Sequence, residues 1–177
     1  MTLARALMWI SALGLLVAAV GLWPHLPDRI PVHFGLDGEP DQWAERFLLA
    51  WLTLPLVGVA LAVVLEAVAT WAVRHPDRQT VNVLSQRALM ELPVERRVPV
   101  LERVASMLYW TGAVSLVALA AIQVGTWEAA TGEDGPGWVL AGTLGVAAGS
   151  LGILVWGLAR IEGEIKRQRE ATLEADE

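Results

Sequence analysis

The run FLLAWLTLPLVGVALAVVLEAVATWAV, Phe47 to Val73, decides the fold. Its single ionisable residue is Glu66, and it exceeds the roughly 20 residues an α-helix needs to cross a hydrocarbon core. Three more apolar runs accompany it along the chain, Ala6 to Trp23, Val104 to Trp127 and Trp138 to Ala159. Composition points the same way: of 177 residues, 55% are hydrophobic and only 18% charged, and the mean hydropathy is +0.49. These values predict an all-α integral membrane protein, a single membrane domain over 1–177 with spans at 6–23, 47–73, 104–127 and 138–159. The connections are then loops at 24–46, 74–103 and 128–137, with a tail at 160–177. A cleaved leader is the weaker reading of the first run, because Trp23-Pro24 follows it rather than a small-residue cleavage site.

The distribution of Lys and Arg sets the expected orientation, since cytoplasmic loops are enriched in both. Arg5, six arginines between Arg74 and Arg103, and Arg160, Lys166, Arg167 and Arg169 fall on one side. Only Arg29 and Arg46 fall on the other. The reading is therefore a multi-pass protein of the cytoplasmic (inner) membrane, with both termini and the 74–103 loop cytoplasmic and the 24–46 and 128–137 loops external. Tryptophan prefers the membrane interface, and eight of the nine line up at span ends. Trp23, Trp51, Trp127 and Trp138 form the expected outer belt, and Trp9, Trp71, Trp110 and Trp156 the inner one. The tail mixes both charge signs at helical spacing and is expected to continue the fourth helix.

Several function classes drop out. With no Cys there is no disulfide framework, thiolate metal site or Cys nucleophile. No basic patch is interleaved with aromatics, so a nucleic-acid partner is not expected. The chain has no H-E-x-x-H, no nucleophile elbow and no phosphate loop.

The richest polar chemistry lies in the first loop. Ile30, Val32 and Phe34 alternate with Pro31 and His33, the period of a short strand with one greasy face. Pro31 would confine that strand to an edge. Asp37-Gly38 is a turn signal in which Gly38 supplies a positive φ. Asp41 is expected to cap a helix beginning near Gln42. The candidate binding residues are Pro31, His33, Gly38, Glu39, Asp41 and Trp43. His33, Asp37, Glu39 and Asp41 together could meet a cation, with His33 and Asp41 the candidate metal ligands, or His33 could act as a base oriented by a carboxylate. A purely structural use of the same side chains is the competing reading, and no cofactor is specified.

The pattern L-P-x-x-I-P-x-H-F-x-x-x-G-x-x-D-x-W, running from Leu26 to Trp43, resembles the domain of unknown function 1648. A weaker similarity continues at Val81-Asn82-Val83 and Leu92-Pro93-Val94-Glu95-Arg96-Arg97. That domain forms the N-terminal half of the SdpI-like toxin-immunity membrane proteins. The resemblance implies a bacterial or archaeal membrane protein and, in the immunity proteins, protection against a secreted toxin. This sequence shows no counterpart of their second half, with its Gly-Arg-Thr-Pro-like motif. The preferred expectation is thus a non-enzymatic sensor or immunity-type protein that recognises an extracellular peptide, lipid or cation through 26–43. The alternative is an enzyme or transporter using His33 and Asp41, with Glu66 as an intramembrane relay.

Within the spans, Glu66 is expected to pair with Arg103 or Arg160 near the inner interface. Pro55 interrupts the hydrogen-bond ladder of the second helix. Gln123 and Ser115 suit interhelical hydrogen bonds. Gly142, Gly145, Gly149 and Gly152 make one stripe on the fourth helix, where a partner backbone can approach closely. Packing inside the bundle is the first reading of that stripe, and a homodimer seam in membrane lipid the sharper alternative.

Overall fold

The computed structural model describes residues 2–35, 38–78, 86–132 and 137–175. Helix α1 spans Leu3–Leu22 and ends in a single 3-10 turn at Trp23–His25. Strands β1 (Arg29–Phe34) and β2 (Pro40–Glu45) form an antiparallel hairpin. Helix α2 follows at Leu48–Arg74, a short α3 at Gln86–Glu91, then α4 at Val94–Thr131 and α5 at Gly137–Ala175. Four of these helices are long and apolar enough to cross a membrane.

The helices outrun the apolar runs. Helix α4 begins ten residues before the span expected at 104, and α5 continues through the charged tail to Ala175. A rise of about 1.5 Å per residue makes each nearly 60 Å long, about twice a hydrocarbon core of roughly 30 Å. The surplus builds a second layer at the end of the bundle away from the hairpin. There Leu89 and Leu92 pack with Val100, Leu101 and Val104 of α4 and with Ile161 and Ile165 of α5. Arg97 ties the corner, donating to the carbonyls of Met90 (2.8 Å), Leu92 (2.9 Å) and Pro76 (3.3 Å). Glu164 of α5 accepts from Arg103 (2.7 Å), Arg167 (2.6 Å) and Gln168 (2.9 Å) in the same layer.

Within the bundle the contacts are made by small residues. The buried positions of α1 are Ala4, Met8, Ala12, Leu15 and Ala19, spaced by three or four so that they share one stripe. Helix α2 answers with Gly58, Ala62, Ala69 and Ala72, and α4 with Ala105, Gly112 and Ala113. Leu13, Val17, Val57, Val64 and Leu151 point outward. Lipid solvates leucine as well as a protein core does, so helix association in a membrane rests on close approach and not on hiding large side chains. A β-carbon added at Gly112 would lie 2.7 Å from Leu65 Cδ1 and 2.8 Å from Met8 Sδ. One added at Gly58 would meet Leu116 at 2.9 Å, and one at Gly157 would meet Met107 at 2.5 Å.

The glycine stripe of α5 does not take part in this packing. A β-carbon on Gly145, Gly149 or Gly152 would meet nothing within 4 Å, so at these three positions none of the described helices covers the stripe. At Gly145, Gly149 and Gly152 the expected intramolecular seam does not form; α5 meets α4 at Gly157 on another face and again through Ile161, Ile165 and Glu164 near its charged end.

Candidate functional site

The hairpin is fastened to the bundle end at its base. Leu26 and Ile30 are buried with Ala19 and Trp51, and Leu22, Trp23 and Trp127 pack around them. Trp51 was expected in an interfacial belt, but it lies inside this cluster and donates from Nε1 to the Ala19 carbonyl at 2.7 Å. Arg46, just after β2, donates to the Leu26 carbonyl at 2.7 Å and stacks over the Trp23 ring at 5.1 Å. Its backbone N–H closes the hairpin base on the Asp28 carbonyl at 2.7 Å. Two polar anchors and an apolar plug therefore fix where the hairpin stands.

Its upper part is irregular. Residue pairs run Arg29–Glu45, Ile30–Ala44 and Pro31–Trp43, then shift to His33–Gln42 and shift again to Phe34–Pro40. Val32 on one strand and Asp41 on the other are the residues left over. Such bulges bend a strand and re-aim its side chains. The expected alternation breaks here: Ile30 and Pro31 are both buried, whereas Val32 is half exposed. The expected helix cap breaks too. Asp41 lies in β2, and α2 begins only at Leu48 with Phe47 before it, so Asp41 caps no helix.

What Asp41 does instead is reach across the bulge. Its Oδ1 sits 2.6 Å from His33 Nδ1, with the two side chains 50% and 58% exposed. A carboxylate on Nδ1 fixes the ring orientation and leaves Nε2 pointing to whatever approaches, the arrangement that orients a histidine for recognition, ligation or proton transfer. Gly38 has φ +84° and donates its N–H to the Gly35 carbonyl at 3.0 Å, as its place in the turn requires. The Gly35 N–H donates to the Glu39 carbonyl at 2.8 Å. Trp43 is 40% exposed on β2 beside Pro31 of β1. Asp37 lies outside the described residues. Among the described residues, no three His, Cys, Asp or Glu side chains gather in a way that could hold a metal ion.

Glu66 lies toward the far end of α2, and its partner is not the one expected. Arg103 is engaged by Glu164, and Arg160 lies over the Trp156 ring at 4.5 Å. The arginine that reaches Glu66 is Arg5, from the first turn of α1, with Nε 2.9 Å from Oε2 and a terminal nitrogen 2.8 Å from Oε1. Trp9 Nε1 donates to Oε2 at 3.1 Å, Thr70 to Oε1 at 2.8 Å and Tyr109 to Oε1 at 3.5 Å. Three helices thus close on one carboxylate. Sequence spacing alone does not show this, because it takes the α1–α2 crossing to bring Arg5 and Trp9 to Glu66.

Four membrane-length helices with a folded hairpin pinned between the first two define a multi-pass membrane protein whose first connection is a built structure. Residues 9–59 match the family described as Domain of unknown function (DUF1648). The match takes in most of α1, the whole hairpin and the first turns of α2. The weaker similarity at 92–97 falls beyond it, and 81–83 lies outside the described residues. No curated protein and no solved structure matches the chain.

Proposed function

We propose that the protein is a membrane sensor of the immunity type, and that the hairpin presents His33, Asp41 and Trp43 to an extracytoplasmic peptide. The observation that carries this reading is the contrast between the hairpin's buried base and its exposed, bulged upper part. A rigid base removes the ordering cost that a floppy loop would incur on binding. Strand β2 is exposed along most of its length, and a two-stranded sheet leaves outer edges to which an extended peptide can add. The immunity-type reading rests on the resemblance of the Leu26–Trp43 pattern to the SdpI-like proteins, and that pattern lies within the matched residues.

The test is protection of the native host. Deleting the gene should sensitise the host to secreted peptides, and the wild-type gene should restore resistance. His33→Ala and Asp41→Ala should not restore it, although both proteins insert and accumulate normally, because insertion depends on the spans and the Lys/Arg asymmetry. Full protection by both variants sinks the reading. His33→Gln separates the chemistry, since it keeps hydrogen-bonding capacity but neither titrates nor ligates metal well. Protection by His33→Gln assigns a positioning hydrogen bond. Failure of His33→Gln, together with a stoichiometric ion in the purified protein, favours the metal or acid–base alternative, for which the 2.6 Å pair is the supporting observation.

Orientation belongs to the same proposal. A reporter active only in the cytoplasm should be on when fused after Arg78 or Ala175 and off when fused after Gly38 or Gly132. A signal at Gly38 with none at Arg78 inverts the molecule and removes the extracytoplasmic site.

A further inference from the structure

Beneath the hairpin lies a groove of about 390 Å³ between β1, the first turns of α2 and the last turns of α4. This volume is within the range of small-molecule pockets, roughly 300–1,000 Å³. Its walls are Ile30, Val32 and Phe34 from β1, Leu54 from α2 and Ile122 from α4, and among the described residues no charged side chain lines it. Among these lining residues a charged ligand finds no counter-ion.

The polar groups are few, and one of them is unmet. Gln123 is 2% exposed and lines the groove. Its Nε2 donates to the Trp51 carbonyl at 3.4 Å, which fixes the amide's orientation, since a flipped amide would set oxygen against oxygen. Its Oε1 has no partner among the described residues. One turn further on the same helix face, Trp127 Nε1 is also buried with no acceptor among the described residues. The hydroxyls of Thr53 and Thr126 donate to the backbone at 2.9 and 2.8 Å, so their protons are committed. Buried acceptors are nearly always paired, and the exceptions call for an explanation.

We infer that this groove binds a neutral amphiphile, with its apolar chain along β1 and a hydroxyl or amide donor on Gln123 Oε1. Its position suits a lipid: the groove lies where α2 begins and α4 ends, at the hairpin end of two membrane-length helices. The ligand class follows from the lining: an apolar body, one donor and no charge. The site is separate from the His33–Asp41 pair and does not rest on the peptide reading.

The probe is a monoacylglycerol with a photoreactive diazirine in its chain, applied to the full protein in nanodiscs, with labelled residues mapped by mass spectrometry. Label should concentrate on 30–34, 50–54 and 122–126. The matching fatty-acid methyl ester, which lacks the donor, should label these segments about tenfold less, the value of one hydrogen bond. Gln123→Leu should weaken monoacylglycerol labelling to a similar degree. Thr53→Trp places bulk at an exposed groove position and should abolish labelling even if Gln123→Leu does not fold. Equal labelling by ester and monoacylglycerol, or labelling undiminished in Thr53→Trp, or label spread evenly over the lipid-facing helices, overturns the proposal.

Discussion

Glu66→Leu is expected to destabilise the folded protein by about 2–3 kcal/mol, read as a lowered midpoint in thermal or detergent unfolding. The carboxylate accepts from four side chains, Arg5, Trp9, Thr70 and Tyr109. Hydrogen bonds between membrane helices average on the order of 0.6 kcal/mol each, so their joint loss accounts for about 2 kcal/mol. The stranded Arg5 guanidinium adds to this, though less than the roughly 3–5 kcal/mol seen when a fully buried pair is broken. Arg5 is 41% exposed against 18% for Glu66, so it can swing toward water once its partner is gone. The double variant Arg5→Leu/Glu66→Leu should regain much of the loss, since no unpaired charge remains. Glu66→Gln keeps an acceptor and should lose only about 1 kcal/mol. A Glu66→Gln protein with wild-type stability and no function would identify Glu66 as a relay and not as a clasp. A Glu66→Leu protein as stable as wild type would show that α1 and α2 are held without it.

The four spans were legible because the property that marks them, a continuous apolar run of membrane length, is one-dimensional. Phe47–Val73 coincides with α2 to within a residue at each end. What hydropathy could not mark is where a helix ends once it leaves the membrane. The helical tail at Arg160–Ala175 is legible instead from its charge spacing, whereas Val94–Arg103 is polar and helical because it packs on that tail through Val100, Ile161 and Ile165. The loop is legible as folded and as containing a strand, but capping chemistry at Asp41 predicts a helix where the structure has the second strand. Asp41 before Gln42 satisfies a capping rule locally. The competing determinant is pairing of 40–45 with β1, held in place by the plug of Leu26 and Ile30 against Trp51, contacts that a local capping rule does not include. The His33–Asp41 contact likewise needs two bulges, and residue spacing does not encode them.

Glycines illustrate the same limit and give the sharpest contrast available by mutation. The conspicuous motif is the stripe on α5, yet close approach to other helices is found at isolated glycines, Gly58, Gly112 and Gly157, and not at Gly145, Gly149 or Gly152. Gly112→Leu is expected to destabilise by about 3 kcal/mol or to prevent folding. Its first added carbon already crowds Leu65 and Met8, and the remaining three carbons have nowhere to go between α1, α2 and α4. Gly112→Ala should be far milder, because the atoms it meets are ends of flexible side chains and alanine gains up to about 1 kcal/mol in helix propensity. Gly149→Leu should leave the stability of a single chain unchanged, since nothing lies within 4 Å of the new carbon. Mass in detergent then distinguishes what the stripe meets. If wild type runs as a dimer and Gly149→Leu as a folded monomer, a second copy packs there; if mass and stability both hold, the stripe faces lipid. A Gly149→Leu protein that unfolds as readily as Gly112→Leu would mean that another helix of the same chain covers the stripe, contrary to the packing described above.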